Sequence, residues 1–243
     1  NLLDLYDDVP KKTVTVKVGH FTIRMPRAEE KLLRRYVPAL LEKAYAEYQQ
    51  KYGFTPKGPL SIELYEKHEE FTVRTFGEPA YGGILGVCFG PVITSTSPSL
   101  GKANWAMVLW HEFAHTMHIE ASRSRVHRWF TEGLAEYETI RARPEWRREH
   151  RQELWRAVQE GVVTGIDDLN GSFTNAKSAM AMVLAYFQSS QAISFIGERW
   201  GYPAFRKALK LYGENKTTPE VIRAITGLSS PQFDAAFIAW VKK

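Results

Sequence analysis

The sequence predicts an α+β chain, with a mixed αβ part in front and an all-helical part behind. Three observations carry that reading. Every strong strand signal falls before residue 100. Beyond it, every segment with a regular apolar period has the helical one. The 243 residues suffice for one large domain or two closely packed lobes. With 44% hydrophobic and 24% charged residues, the composition is globular and excludes disordered and collagenous classes. No apolar run approaches the roughly 18 residues needed to cross a bilayer; the longest runs from Ala179 to Phe187 and contains Tyr186.

The elements follow in order. Thr13-Val14-Thr15-Val16-Lys17-Val18 is rich in β-branched residues and Phe21-Thr22-Ile23-Arg24-Met25 alternates, so both read as strands. Residues 28–52 repeat apolar positions at three- and four-residue steps, from Leu32 and Leu33 to Tyr48, with Pro38 expected to kink or break the helix. Leu60 to Leu64 is a third strand. Ile84 to Phe89 and Val92 to Thr96 are two more, broken by Gly90-Pro91. Gly82, Gly83 and Gly86 loosen the first of these, which suits a sheet edge or a place where another backbone approaches. Helices are expected at 102–121, 129–142, 145–161, 175–200, 202–213, 218–226 and 231–242. Gly201, Gly213 and Gly227 stand where C-terminal glycines belong, and Thr218-Pro219-Glu220 and Ser230-Pro231 read as helix starts, with Thr218 and Ser230 as the capping residues and proline in the first turn. This organises 1–243 as a single domain of two lobes, a mixed αβ lobe over 1–122 and a helical lobe over 123–243.

Net charge is +5. Without a Lys/Arg block, this describes an ordinary soluble surface and not a nucleic-acid binder. Residues 141–156 hold six Arg and three Glu, read as a solvated helical face, with an acidic-partner surface as the alternative. The opening Asn1-Leu2-Leu3-Asp4 has no signal-peptide features and no Met, so the expectation is a soluble, excised or processed piece whose compartment is not encoded. Cys88 is the one cysteine. It excludes an internal disulfide and a Cys-based metal cluster, and with no basic partner nearby it reads as a small buried hydrophobe.

Any metal must therefore be held by His, Asp or Glu, and His111-Glu112-Phe113-Ala114-His115 offers such a site. On a helix, residues four apart share a face, so both imidazoles reach one tetrahedral zinc while Glu112 faces its water. A catalytic zinc needs a third protein ligand. Metzincin spacing fails, since His118 and Ala121 stand where Gly and His would be. Glu132, in Trp129-Phe130-Thr131-Glu132-Gly133-Leu134-Ala135-Glu136-Tyr137, follows His115 at a distance that suits a helix end, a turn and a second helix.

These two motifs, with Gly86-Val87-Cys88-Phe89-Gly90, Ser97-Pro98 and Ala185-Tyr186-Phe187-Gln188-Ser189, resemble the gluzincin metallopeptidases. They are most similar to the peptidase-MA-like domains of larger bacterial proteins with tetratricopeptide repeats. The resemblance covers most of the chain. It implies a thermolysin-like catalytic fold and a zinc-dependent peptidase acting on a peptide or protein, as part of a larger polypeptide with helical repeats. It implies zinc on His111, His115 and Glu132, with Glu112 as general base and Glu136 orienting His111. It implies Tyr186 as the oxyanion donor, with Tyr137, His118 and His127 as weaker alternatives. Gly83, Ile84, Leu85 and Gly86 would form the substrate edge. In the aminopeptidase branch a Glu of this edge grips the free amine. Leu85 stands in its place, which implies endopeptidase cleavage. The alternative is a non-catalytic zinc-containing module, structural or peptide-binding, closed by His118 or His127 as fourth ligand.

Overall fold

Among the described residues, five strands form one sheet in the order β1-β2-β3-β5-β4. They are β1 (Thr13–Val18), β2 (Phe21–Pro26), β3 (Leu60–Tyr65), β4 (Gly86–Cys88) and β5 (Val92–Thr96). The structure is a computed structural model that describes residues 11–79, 83–101, 103–147, 151–176 and 178–243. The chain divides into two compact units, Asn1–Met117 and His118–Lys243. No described helix is long and apolar enough to cross a membrane.

In the first unit, β1 and β2 pair antiparallel, while β2, β3 and β5 run parallel. Parallel neighbours need crossover connections, and helices supply them. The first is α1 (Glu30–Tyr52) and the second contains α2 (His68–Phe76). The sequence reading missed α2: only Phe71, Thr72 and Val73 in it are buried, too short a run to display a helical period. The expected break at Pro38 does not occur, for α1 runs through it. Proline there removes one backbone bond and costs about 3 kcal/mol. The row Leu33, Val37, Leu41, Tyr45 and Tyr48 is buried, at roughly 1.5–3 kcal/mol per large side chain, and that outweighs the defect.

The expected strand over Ile84 to Phe89 shortens to three residues. Gly83 has φ 89°, which ends the extended backbone on one side, and Gly90, at φ 78°, turns the chain on the other. Gly82 lies outside the described residues. β4 lies at one edge of the sheet, as expected. The helix α3 (Trp105–Ala121) packs through Phe113, whose ring lies 5.3 Å from Phe21 and 5.9 Å from Tyr48. Tyr48 also donates to the Trp110 carbonyl at 3.1 Å. The α3 side chains nearest the sheet are thereby fixed by rings on α1 and β2.

The second unit contains α4 (Arg128–Ala142), α5 (Arg151–Glu160), the short α6 (Gly171–Thr174), α7 (Ala179–Gly213), α8 (Thr218–Thr226) and α9 (Ser230–Val241). α7 breaks at Gly201 (φ 65°, ψ −167°), which is the expected boundary between two helices. Gly227 caps α8 in the left-handed conformation. Gly213 does not cap; it stays helical, and a Cβ there would lie 3.1 Å from the Ser122 carbonyl oxygen. The caps of α8 and α9 are Thr217 and Ser229, one residue earlier than expected. A capping box counts three back from its acidic or amide partner. Accordingly, the Thr217 N–H donates to Glu220 Oε2 at 2.8 Å and the Ser229 N–H to Gln232 Oε1 at 2.9 Å. The Arg-rich stretch is not one helical face. Arg141 lies in the last turn of α4, Pro144–Trp146 is a single 3₁₀ turn and α5 begins at Arg151, while residues 148–150 lie outside the described residues.

α4 and α7 pack closely at one glycine. A Cβ on Gly133 would lie 2.5 Å from the Ser189 carbonyl oxygen. That distance is below any real contact, so the residue after Glu132 must lack a side chain.

Candidate metal centre

The first part of the centre is a property of α3. The Asn104 side chain accepts the Met107 N–H at 3.1 Å and starts the helix. One turn separates His111 from His115. Their Nε2 atoms lie 3.1 Å apart, and both residues are buried. Two nitrogens on one tetrahedral zinc, each at the usual 2.0–2.1 Å, would stand about 3.3 Å apart. The pair already fits that span. Glu112 lies against the β4 edge: a Cβ on Gly86 would come within 2.8 Å of Glu112 Cγ and 3.1 Å of its Oε1. Glycine at 86 is what makes room for this carboxylate.

Of the expected substrate edge, Leu85 turns its carbonyl inward, accepting from the Thr96 N–H and Ser95 Oγ at 2.9 Å each. The Phe89 N–H likewise donates to the Val92 carbonyl on β5 at 2.7 Å. By strand alternation, the outward backbone groups of β4 belong to Gly86 and Cys88. The Cys88 thiol is pushed up to about 12, first by burial and then by the nearby Glu112, against hydrogen bonds to Thr116 and Gly90. It remains a thiol at neutral pH and is no nucleophile.

The second part is built on α4. α3 ends at Ala121. Arg123 and Ser124 follow with φ 53° and 62°, a left-handed pair in the connection to α4. The α4 N-terminus is capped from a distance, because Asn170 Oδ1 accepts the Arg128 N–H at 2.7 Å and the Trp129 N–H at 3.4 Å. Glu132 follows one turn later, with only 13% of its side chain exposed. Its Oε1 accepts from Arg128 Nε and from the Tyr186 hydroxyl, each at 3.4 Å. Arg128 Nη2 also donates to the Tyr186 oxygen at 3.1 Å. Burial alone would lower the Arg128 guanidinium; the Tyr186 and Glu132 oxygens more than offset it and hold it above the usual range.

The ligand atoms of His111, His115 and Glu132 lie within 4.8 Å of one another. The donor set, two imidazoles and one carboxylate, is one that zinc takes with an open fourth position. His118 and His127 are not in this group. His118 Nδ1 pairs with Thr131 Oγ1 at 3.0 Å and His127 Nδ1 with Thr218 Oγ1 at 2.9 Å. Burial lowers the His127 pKa. Tyr137 packs on Phe205, with ring centres 5.5 Å apart. Glu136 stands one turn beyond Glu132 and lines a cavity of about 500 Å³ with Tyr137, Ser190, Gly197 and Tyr202.

No protein-family model matches the sequence, and no curated protein matches it. Its structural neighbours are M1 zinc metallopeptidases. A mutant of the enzyme from Deinococcus radiodurans aligns at 13% identity and TM-score 0.49, covering 93% of this chain and 51% of that one. The M1 zinc metallopeptidase from Deinococcus radiodurans aligns at 14% and 0.47, covering 95% and 51%. A two-domain M1 zinc metallopeptidase bound to L-tryptophan aligns at 14% and 0.47, covering 93% and 50%. The chain spans about half the length of these structures.

Sequence reasoning overlooked Arg128, Asn170 and Phe173. Arg128 had a signal, since it stands four residues before Glu132, the spacing of a helical ion pair. Asn170 and Phe173 had none, because they meet α4 only through the tertiary fold.

Proposed function

We propose that the chain is a zinc-dependent metallopeptidase of the gluzincin kind, with a peptidase-MA-like domain acting on internal peptide bonds. The observation that carries this reading is the approach of His111, His115 and Glu132 to within 4.8 Å, with Glu112 beside the first of them. Zinc held by these three residues supplies Lewis acidity and a reactive water at its remaining position.

The chain's own groups then divide the work. Glu112 takes a proton from the attacking water and returns it to the leaving nitrogen. The Tyr186 hydroxyl donates to the carbonyl oxygen as negative charge develops there. Glu136 orients the His111 ring, so that its other nitrogen faces the ligand position. The β4 edge, with the outward groups of Gly86 and Cys88, receives the substrate as an added strand, and Gly83 to Leu85 shape its approach. Leu85 stands where an amine-binding Glu would, and its uncharged side chain does not select a free N-terminus, which favours endopeptidase cleavage. The resemblance to repeat-linked peptidase domains supports a setting within a longer polypeptide with helical repeats.

The test uses protein loaded with zinc and a broad peptide library read by mass spectrometry. Wild type should cleave internal bonds, and Glu112→Gln should lose roughly 10²- to 10⁴-fold in rate while keeping its zinc. Equal cleavage by both would end the mechanism. Full zinc occupancy with peptide binding and no cleavage would instead identify a non-catalytic peptide-binding module.

A further inference from the structure

We infer that Arg128 is a positioning residue that sets both the Glu132 carboxylate and the Tyr186 hydroxyl, an inference that rests on the metallopeptidase reading. Arg128, Glu132 and Tyr186 close a triangle. The guanidinium reaches Glu132 Oε1 through Nε at 3.4 Å and the Tyr186 oxygen through Nη2 at 3.1 Å, and the Tyr186 hydroxyl reaches the same Oε1 at 3.4 Å. The two contacts at 3.4 Å are long and the one at 3.1 Å is ordinary, so no single one defines the geometry. Together they define it, because a planar fork serves two acceptors at a fixed mutual angle.

Arg128 is itself held from outside α4. Its backbone N–H is fixed by Asn170 at 2.7 Å, and its guanidinium lies 5.3 Å over the Phe173 ring. That ring meets Tyr186 edge-on, with centres 5.0 Å apart and planes 79° apart. The segment from Asn170 to Phe173 therefore orders Arg128 and Tyr186 together. An ordinary exposed Arg–Glu pair one helical turn apart has no such support and contributes little. Ligating carboxylates depend on outer hydrogen bonds for their orientation, and loss of such a partner typically weakens metal binding or activity 10- to 100-fold. Lysine would keep the charge but not the fork, so it would serve one oxygen at a time.

The experiment compares wild type with Arg128→Ala, Arg128→Lys and Phe173→Leu in the full chain. Three quantities are read: zinc affinity by chelator competition, the visible spectrum of the cobalt-substituted protein, and kcat and KM on a cleaved peptide. Arg128→Ala should bind zinc 10- to 100-fold more weakly and shift the cobalt bands. It should lower kcat with little change in KM, and Tyr186→Phe should add little to it, because the two act as a unit. Arg128→Lys should recover part of the zinc affinity but not the Tyr186-dependent part of kcat. Phe173→Leu should move the same quantities in the same direction by less, and it carries the test with Arg128→Lys if the alanine variant does not fold. Zinc affinity, cobalt spectrum and kcat all within twofold of wild type in the folded variants would overturn this role alone. Failure of wild type to bind zinc would overturn it together with the reading beneath it.

Discussion

On α3, His111 and His115 converge because four residues complete a helical turn, and the helix is held by aromatic rings, with Phe113 between Phe21 and Tyr48. On α4, Glu132 has no second ligand one turn away. Its orientation comes from Arg128 and Tyr186, and its helix is seated by Gly133 against the Ser189 carbonyl. The first helix places its candidate ligands through its own period, the second through Arg128 one turn back on the same helix and through Tyr186 brought from α7. A short local motif is thus enough to align two candidate ligands, while the orientation of a third depends on how separate elements pack.

The sharpest way to break this contrast is to remove a ligand from each helix. His115→Ala should abolish zinc retention in equilibrium dialysis, and Glu132→Gln should do so less completely, because its amide keeps one carbonyl oxygen in place. Equal retention by all three proteins would show that neither helix holds metal.

The two glycines beside the centre sharpen it further. Gly133→Ala drives a methyl to 2.5 Å from backbone, which cannot yield locally, so it should destabilise by about 1–3 kcal/mol. A calorimetric Tm unchanged from wild type would contradict the close packing of α4 on α7. Gly86→Ala meets side chains and not backbone, Glu112 Cγ and Val108 Cγ1 at 2.8 Å each. It should lower the Tm less than Gly133→Ala does, while lowering kcat by displacing the Glu112 carboxylate. A large Tm loss with normal kcat would reverse that assignment.

The smallest expected effect concerns pH. Burial lowers the His127 pKa in the folded state, so the unfolded chain binds its proton first as pH falls. The neutral ring's contribution is fully present above the unfolded value near 6.5 and is lost as pH falls through the lower folded value. His127→Gln, which can still bond Thr218, should flatten the loss of stability below about pH 6.5. A urea-melt series from pH 7.5 to 5 in which the variant follows the wild-type curve would remove His127 as the cause.

Much of the fold was legible because its signals are local. The strand segments alternate or are β-branched, and Gly201 and Gly227 stand where the backbone needs positive φ. What escaped was short or shared. α2 has too few buried residues to show a period, Pro38 yields to packing it cannot see, and Gly213 serves Ser122 and not its own helix. The candidate ligands were legible for the same reason as the strands: their residue types and spacings are written in order along the chain.

By itself, the sequence determined that a mixed αβ part precedes a helical part, that any metal site would have to be cysteine-free, and that His111 and His115 share a helical face. These are consequences of composition and of the helical period. The tertiary structure decided that Arg128 joins Glu132 to Tyr186, that Gly86 admits Glu112, and that Gly133 admits α7. Each of those depends on the distance between groups far apart in the chain, and that distance is fixed only when the elements between them have packed.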